Sequence, residues 1–126
     1  DHWLDEKLKE HHVPPDRLAL IGFSQGTMMS LHVGLRRAVP PAAILGYSGA
    51  LMGQSVLADE IRSRPPVMLV HGTADPIVPF HEMAGAEQKL KALDVPVQTF
   101  ARPGLPHGID DDGIARGAQF LAAAFQ

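Results

Sequence analysis

The sequence predicts an α/β domain: a mostly parallel sheet of about four strands with helices on both faces. Three observations predict it. Short apolar runs alternate with longer stretches of helical periodicity along all 126 residues. Each run closes on Gly, Pro, Ser or Asp, the residues that turn a chain. Strands separated by helices are joined by crossovers, and crossovers make parallel pairs.

Taken in order, residues 1–12 place Trp3, Leu4 and Leu8 at helical spacing among charges, and Pro14-Pro15 stops that helix. Leu18 to Phe23 is a continuous apolar run, the pattern of a strand buried on both faces. Gln25 to Val39 is expected to be helical, with Met28, Leu31 and Leu35 on one face and Pro40-Pro41 closing it. Ala42 to Tyr47 forms a second strand. Leu51 to Arg64 is less regular and leads to Pro65-Pro66. Val67 to His71 is the clearest strand of all. A helix over His81 to Leu93, a strand over Val97 to Ala101 and an Ala-rich helix over Asp112 to Phe125 complete the chain.

Length and composition bound the function. Residues 1–126 make one domain, too short for two independent cores. Apolar residues at 45% and charged residues at 20% are ordinary for a globular protein and exclude disorder and fibrous repeats. Eleven basic and fourteen acidic side chains give a net charge of -3, with the basic ones scattered, so no nucleic-acid partner is expected. The absence of cysteine excludes disulfides, metal-thiolate sites and a cysteine nucleophile. The longest apolar runs, about six to eight residues, fall well short of the roughly 20 that span a bilayer. No signal peptide is visible and the chain does not open on Met. Asp1 is therefore expected not to be the natural start, and a cytoplasmic location is expected.

In parallel sheets catalytic groups gather at the carboxyl ends of the strands. After the first strand comes Gly22-Phe23-Ser24-Gln25-Gly26, a G-x-S-x-G between an apolar run and a helix, the context of a nucleophile elbow. Gly22 and Gly26 are both expected to be side-chain-free so that strand and helix approach. The tight turn lifts the Ser24 hydroxyl above the sheet and aims the Gln25 amide at the space where an oxyanion develops. A chance match is the competing reading, and the strand and helix flanking the motif weigh against it.

After the third strand, His71-Gly-Thr-Ala-Asp75-Pro-Ile-Val-Pro79 places Asp75 just beyond the strand end. Taken alone, Asp75 reads as a turn residue. His71 and Asp75 without a third ligand do not make a metal site. After the fourth strand, Gly104-Leu-Pro-His107-Gly108 holds His107 in a loop, the natural place for a general base. His71 is the more structural of these two histidines, while His2, His11, His12, His32 and His81 belong to helices. Met28, Met29, Met52 and Phe80 are expected in the core rather than in an acyl pocket. His81 and Arg102 are expected at the solvated surface. The order Ser24, Asp75, His107, each after a different strand, is that of the α/β-hydrolases. In such an arrangement His107 takes the Ser24 proton, and Asp75 fixes the imidazole and stabilises the imidazolium.

With GFSQG at 22–26, GYSGAL at 46–51, HGTADPIVP at 71–79 and PHG at 106–108, the whole chain resembles the carboxyl-terminal half of the carboxylesterase and phospholipase α/β-hydrolases. That group includes the acyl-protein thioesterases. The resemblance implies a serine carboxylesterase or thioesterase acting on a small-molecule or lipid acyl ester of short to medium chain. It implies no metal and no organic cofactor. It assigns Ser24 as nucleophile, Asp75 as orienting acid, His107 as base and Gln25 as oxyanion-hole donor. Where it departs is the amino end, which lacks the strands and Gly-rich loop that carry the second oxyanion amide. Leu18 to Phe23 is then an open apolar edge, expected to pair with a second copy or with an absent amino-terminal segment. The alternative is a non-catalytic, truncated domain that binds a hydrophobic ligand or a protein.

Overall fold

The computed structural model describes every residue, Asp1 to Gln126. Four strands form one parallel sheet: β1 (Ala19–Phe23), β2 (Ala43–Tyr47), β3 (Val67–Gly72) and β4 (Val97–Arg102), in the order β1-β2-β3-β4. The helices are α1 (His2–Glu10), α2 (Gln25–Gly34), α3 (Gln54–Glu60), α4 (His81–Ala92) and α5 (Asp111–Ala124). The α/β class and the four-stranded parallel sheet are as the sequence predicts.

Strand order follows chain order, so right-handed crossovers all step the same way and drop their helices on one face. The helix after β4 is not bound by that rule and covers the other. On the first face Leu31 of α2, Leu35 at its end, Leu57 of α3 and Leu90 of α4 pack on Ile44, Val67 and Leu69. On the second, Phe120 of α5 packs against Ala43, Leu45, Tyr47, Met68 and Val70. Each such large side chain contributes about 1.5–3 kcal/mol on burial. The buried Tyr47 hydroxyl donates to the Gly113 carbonyl at 2.9 Å, tying α5 to the sheet, and burial pushes its phenol up.

Several expectations need correction. β1 is not buried on both faces: Ile21 is 58% exposed and Phe23 41%. Register places these two beside Leu45 and Tyr47, on the face that α5 covers farther along the sheet, where α5 packs mainly on β2 and β3 and reaches Phe100 of β4 through Arg116. The second helix ends at Gly34, not Val39. There the Gly34 carbonyl accepts from the Ser63 hydroxyl at 2.6 Å, and the Leu35 carbonyl accepts the amides of Arg62 and Ser63, which stops the helix. The irregular stretch after Leu51 contains α3, a seven-residue helix burying only Leu57, too little to print a periodicity. Met29 and Met52 are exposed rather than in the core, whereas Phe80 packs against it. Trp3 is also exposed, and Leu8 alone of α1 is buried. No helix is long and apolar enough to cross a membrane.

Candidate active site

The carboxyl ends of β1, β3 and β4 bring Ser24, Asp75 and His107 together. Ser24 Oγ lies 3.0 Å from His107 Nε2, and His107 Nδ1 lies 2.8 Å from Asp75 Oδ2. The Ser24 backbone sits at φ 55°, ψ -115°, a conformation that L-residues avoid and that a sharp strand-to-helix turn imposes. Its amide donates to the Tyr47 carbonyl at 2.9 Å, which prolongs the β1–β2 pairing by one residue and fixes the turn against the sheet. α2 starts at Gln25, so the Gln25 amide has no carbonyl one turn back to bond and is free for a ligand oxygen.

The two motif glycines differ. A Cβ on Gly22 would lie 2.3 Å from the Gly26 carbonyl carbon, whereas a Cβ on Gly26 would meet nothing within 4 Å. The expectation that both must lack a side chain is corrected: only position 22 is closed by the approach of helix to strand.

Asp75 has no exposed side-chain surface. Burial alone would raise its carboxyl. The hydrogen bond to His107 and the amides of Val78 and Ile77, 2.9 and 2.8 Å from Oδ1, outweigh burial and hold it below the usual carboxylate range. A group lower in the folded than in the unfolded chain stabilises the fold above its ordinary value, 3.8, and that stability is lost as pH falls through the lowered folded value. Urea melts from pH 6 down to pH 3 are therefore expected to show stability dropping below about pH 4, with a shallower slope in Asp75→Asn. Equal slopes would contradict this account of the carboxylate.

His71 is structural, as expected from the sequence: its Nε2 bonds the Val78 carbonyl at 2.8 Å. The sequence did not reveal that the same nitrogen also lies 3.4 Å from Asp75 Oδ2, so the carboxylate sits between two imidazoles. The loop bearing His107 is closed at its base by Arg102, which pairs with Asp110 and Asp112 at 2.8 Å each. Arg102 is therefore not simply solvated, while His81 is exposed as expected. The Arg102 guanidinium, with the Gly113 amide, holds the Asp110 carboxyl below its ordinary range. At the other end the Gly104 amide donates to Thr73 Oγ1 at 2.7 Å, and the Ala74 amide to the Leu105 carbonyl at 3.1 Å. Those bonds join the loops of Asp75 and His107. Phe23 covers one side of the imidazole, ring centroids 4.9 Å apart. No cluster of three or more His, Asp or Glu side chains suited to a metal ion is present.

A family model described as phospholipase/carboxylesterase matches residues 1–125. The chain belongs to this family. Within it, acyl-protein thioesterase 1 of Gibberella zeae is 35% identical over 114 residues, covering 86% of this chain and 48% of the relative. Acyl-protein thioesterase 1 of Schizosaccharomyces pombe is 36% identical over 96 residues, 68% of this chain and 42% of the relative. The crystal structure of esterase PE8 superposes with a TM-score of 0.95 at 35% identity, covering 98% of this chain and 57% of that one. The chain thus spans about half the length of the curated relatives it matches, corresponding to their carboxyl-terminal half. A catalytic triad is a property of the family.

Proposed function

We propose that this chain is the nucleophile-bearing part of a serine hydrolase that cleaves carboxylic esters or thioesters of short to medium acyl chains. The observation that carries the reading is the unbroken relay from Ser24 through His107 to Asp75 at 3.0 and 2.8 Å. Ser24 Oγ attacks the acyl carbon as its proton passes to His107 Nε2. Asp75 holds the Nδ1 proton and steadies the imidazolium. The Gln25 amide donates to the oxyanion. The imidazolium then protonates the departing alkoxide or thiolate, leaving an acyl-enzyme. Water repeats the sequence with His107 as base, releasing the acid and restoring Ser24.

The substrate class rests on the relatives, which are called acyl-protein thioesterases and an esterase. Gly22 is the first glycine of residues 1–126, so these residues by themselves hold no Gly-rich loop to offer a second oxyanion amide. One missing donor costs about 10² to 10³ in kcat, so slow turnover is expected from this chain alone. A p-nitrophenyl ester series from acetate to decanoate tests the reading: hydrolysis above the buffer rate with a chain-length optimum supports it. Rates equal to buffer throughout would favour the second reading, a non-catalytic domain that binds through its exposed apolar edge.

That edge is a specific observation in its own right. β1 has β2 on one side and unpaired backbone on the other, with Ile21 and part of Phe23 exposed. We infer that it pairs with another strand, a second copy when the chain stands alone. Light scattering is expected to give a dimer, reverting to monomer in Ile21→Lys. A wild-type chain that stays monomeric at high micromolar concentration would contradict the pairing.

A further inference from the structure

We propose that Ser48, at the carboxyl end of β2, is a positioning residue for His107; the inference rests on the hydrolase reading above. Ser48 completes the set of residues that follow the strands: Ser24 after β1, Ser48 after β2, Asp75 after β3 and His107 after β4. Its side chain is buried, with 1% of the residue exposed, and its Oγ donates to the carbonyl of Gly108 at 3.0 Å, sixty positions away and adjacent to His107. The Ser48 amide donates to the Val70 carbonyl at 2.8 Å, so the donor is anchored to the central strand β3.

The backbone carries the second observation. Four residues other than glycine have a positive φ: His12, Ser24, Ser48 and Asp94. His12 and Asp94 are exposed and follow the ends of α1 and α4, where a left-handed residue is a routine way to leave a helix. Ser24 and Ser48 instead stand at strand ends beside the relay, Ser48 at φ 53°. Glycine adopts this conformation without strain, and Gly46 and Gly49 stand close by. A serine kept where glycine fits better is explained by what glycine lacks, a hydroxyl to hold the base loop. The imidazole needs that hold because the rest of its loop is fixed farther away, at Gly104 and Leu105 on one side and at Asp110 on the other. Ser48 grips the loop one residue from the histidine.

Ser48→Gly separates this role from a merely structural one, since it removes the hydroxyl and relieves the strain together. The variant is expected to unfold at the wild-type temperature or above, yet to lose about tenfold in kcat with KM changed less than twofold, as displacing a base by a fraction of an ångström does. Ser48→Ala is expected to lose as much in kcat while keeping the strain. The downfield proton resonance of His107 Nδ1–H is followed in all three proteins. It is expected to be sharp in the wild type and to broaden or vanish in both variants, as the imidazole swings in its loop. This second readout needs no turnover, so an inactive wild type would count against the hydrolase reading while the resonance still judged Ser48. A Ser48→Gly protein with the wild-type resonance, or with wild-type kcat where the wild type is active, would overturn the proposal. So would a loss of activity that only follows a loss of thermal stability.

Discussion

Asp75→Asn is expected to lower kcat/KM by about 10⁴-fold in a protein that still folds. The amide keeps one oxygen for the Ile77 and Val78 amides, so the turn after β3 survives. Its NH₂ then replaces Oδ2 opposite His107 Nδ1. Two donors cannot face each other, so the imidazole moves its proton to Nε2, the atom 3.0 Å from Ser24 Oγ. A protonated Nε2 cannot accept the serine proton, and the nucleophile is left with no base. Ester hydrolysis measured beside circular dichroism checks this: a native spectrum with a fall of less than tenfold would mean that Asp75 is a turn residue and nothing more.

Gly22→Ala is expected to destabilise the fold by about 3 kcal/mol, the upper end for overpacking. The new Cβ would sit 2.3 Å from the Gly26 carbonyl carbon and 2.4 Å from the Thr27 nitrogen, and neither backbone atom can swing aside as a flexible side chain would. Thr27 is itself held, its hydroxyl donating to the Tyr47 carbonyl at 2.8 Å. A domain is stable by only about 5–15 kcal/mol in all, so a sizeable part of the stability would go. Gly26→Ala has the opposite expected sign. Open space surrounds that Cβ, and alanine in a helix is favoured over glycine by about 0.5–1 kcal/mol. Urea midpoints of the two variants that moved in the same direction would contradict this view of the elbow.

What was legible in the sequence is what periodicity and punctuation can carry. The four strands and the α/β class follow from apolar runs closed by turn residues. The three relay positions follow from the rule that sites collect where parallel strands end. That rule also covers the residue after β2, but the GYSGAL motif around Ser48 assigns it no role, and its partner at Gly108 is a long-range contact that local pattern does not encode. The same limit hid the bond of His71 to the acid loop and the closure of the base loop by Arg102. The exposure of Ile21 and Phe23 is not legible because an apolar run records how well a strand tolerates burial, not which face a helix covers. α3 escaped because a seven-residue helix with one buried leucine has no period to detect. Gly26 is the opposite case: the motif suggests a steric need at this position that the packing does not impose.

On the proposed reading, these four strands and their loops suffice to make Ser24 a nucleophile. Incubation with a fluorophosphonate probe, followed by intact-mass and peptide analysis, tests it most directly, because labelling needs the activated serine and not full turnover. One adduct per chain on Ser24, absent from Ser24→Ala and strongly slowed in Asp75→Asn, is the predicted result. A chain that folds and stays unlabelled, or an adduct that Ser24→Ala does not remove, would contradict it.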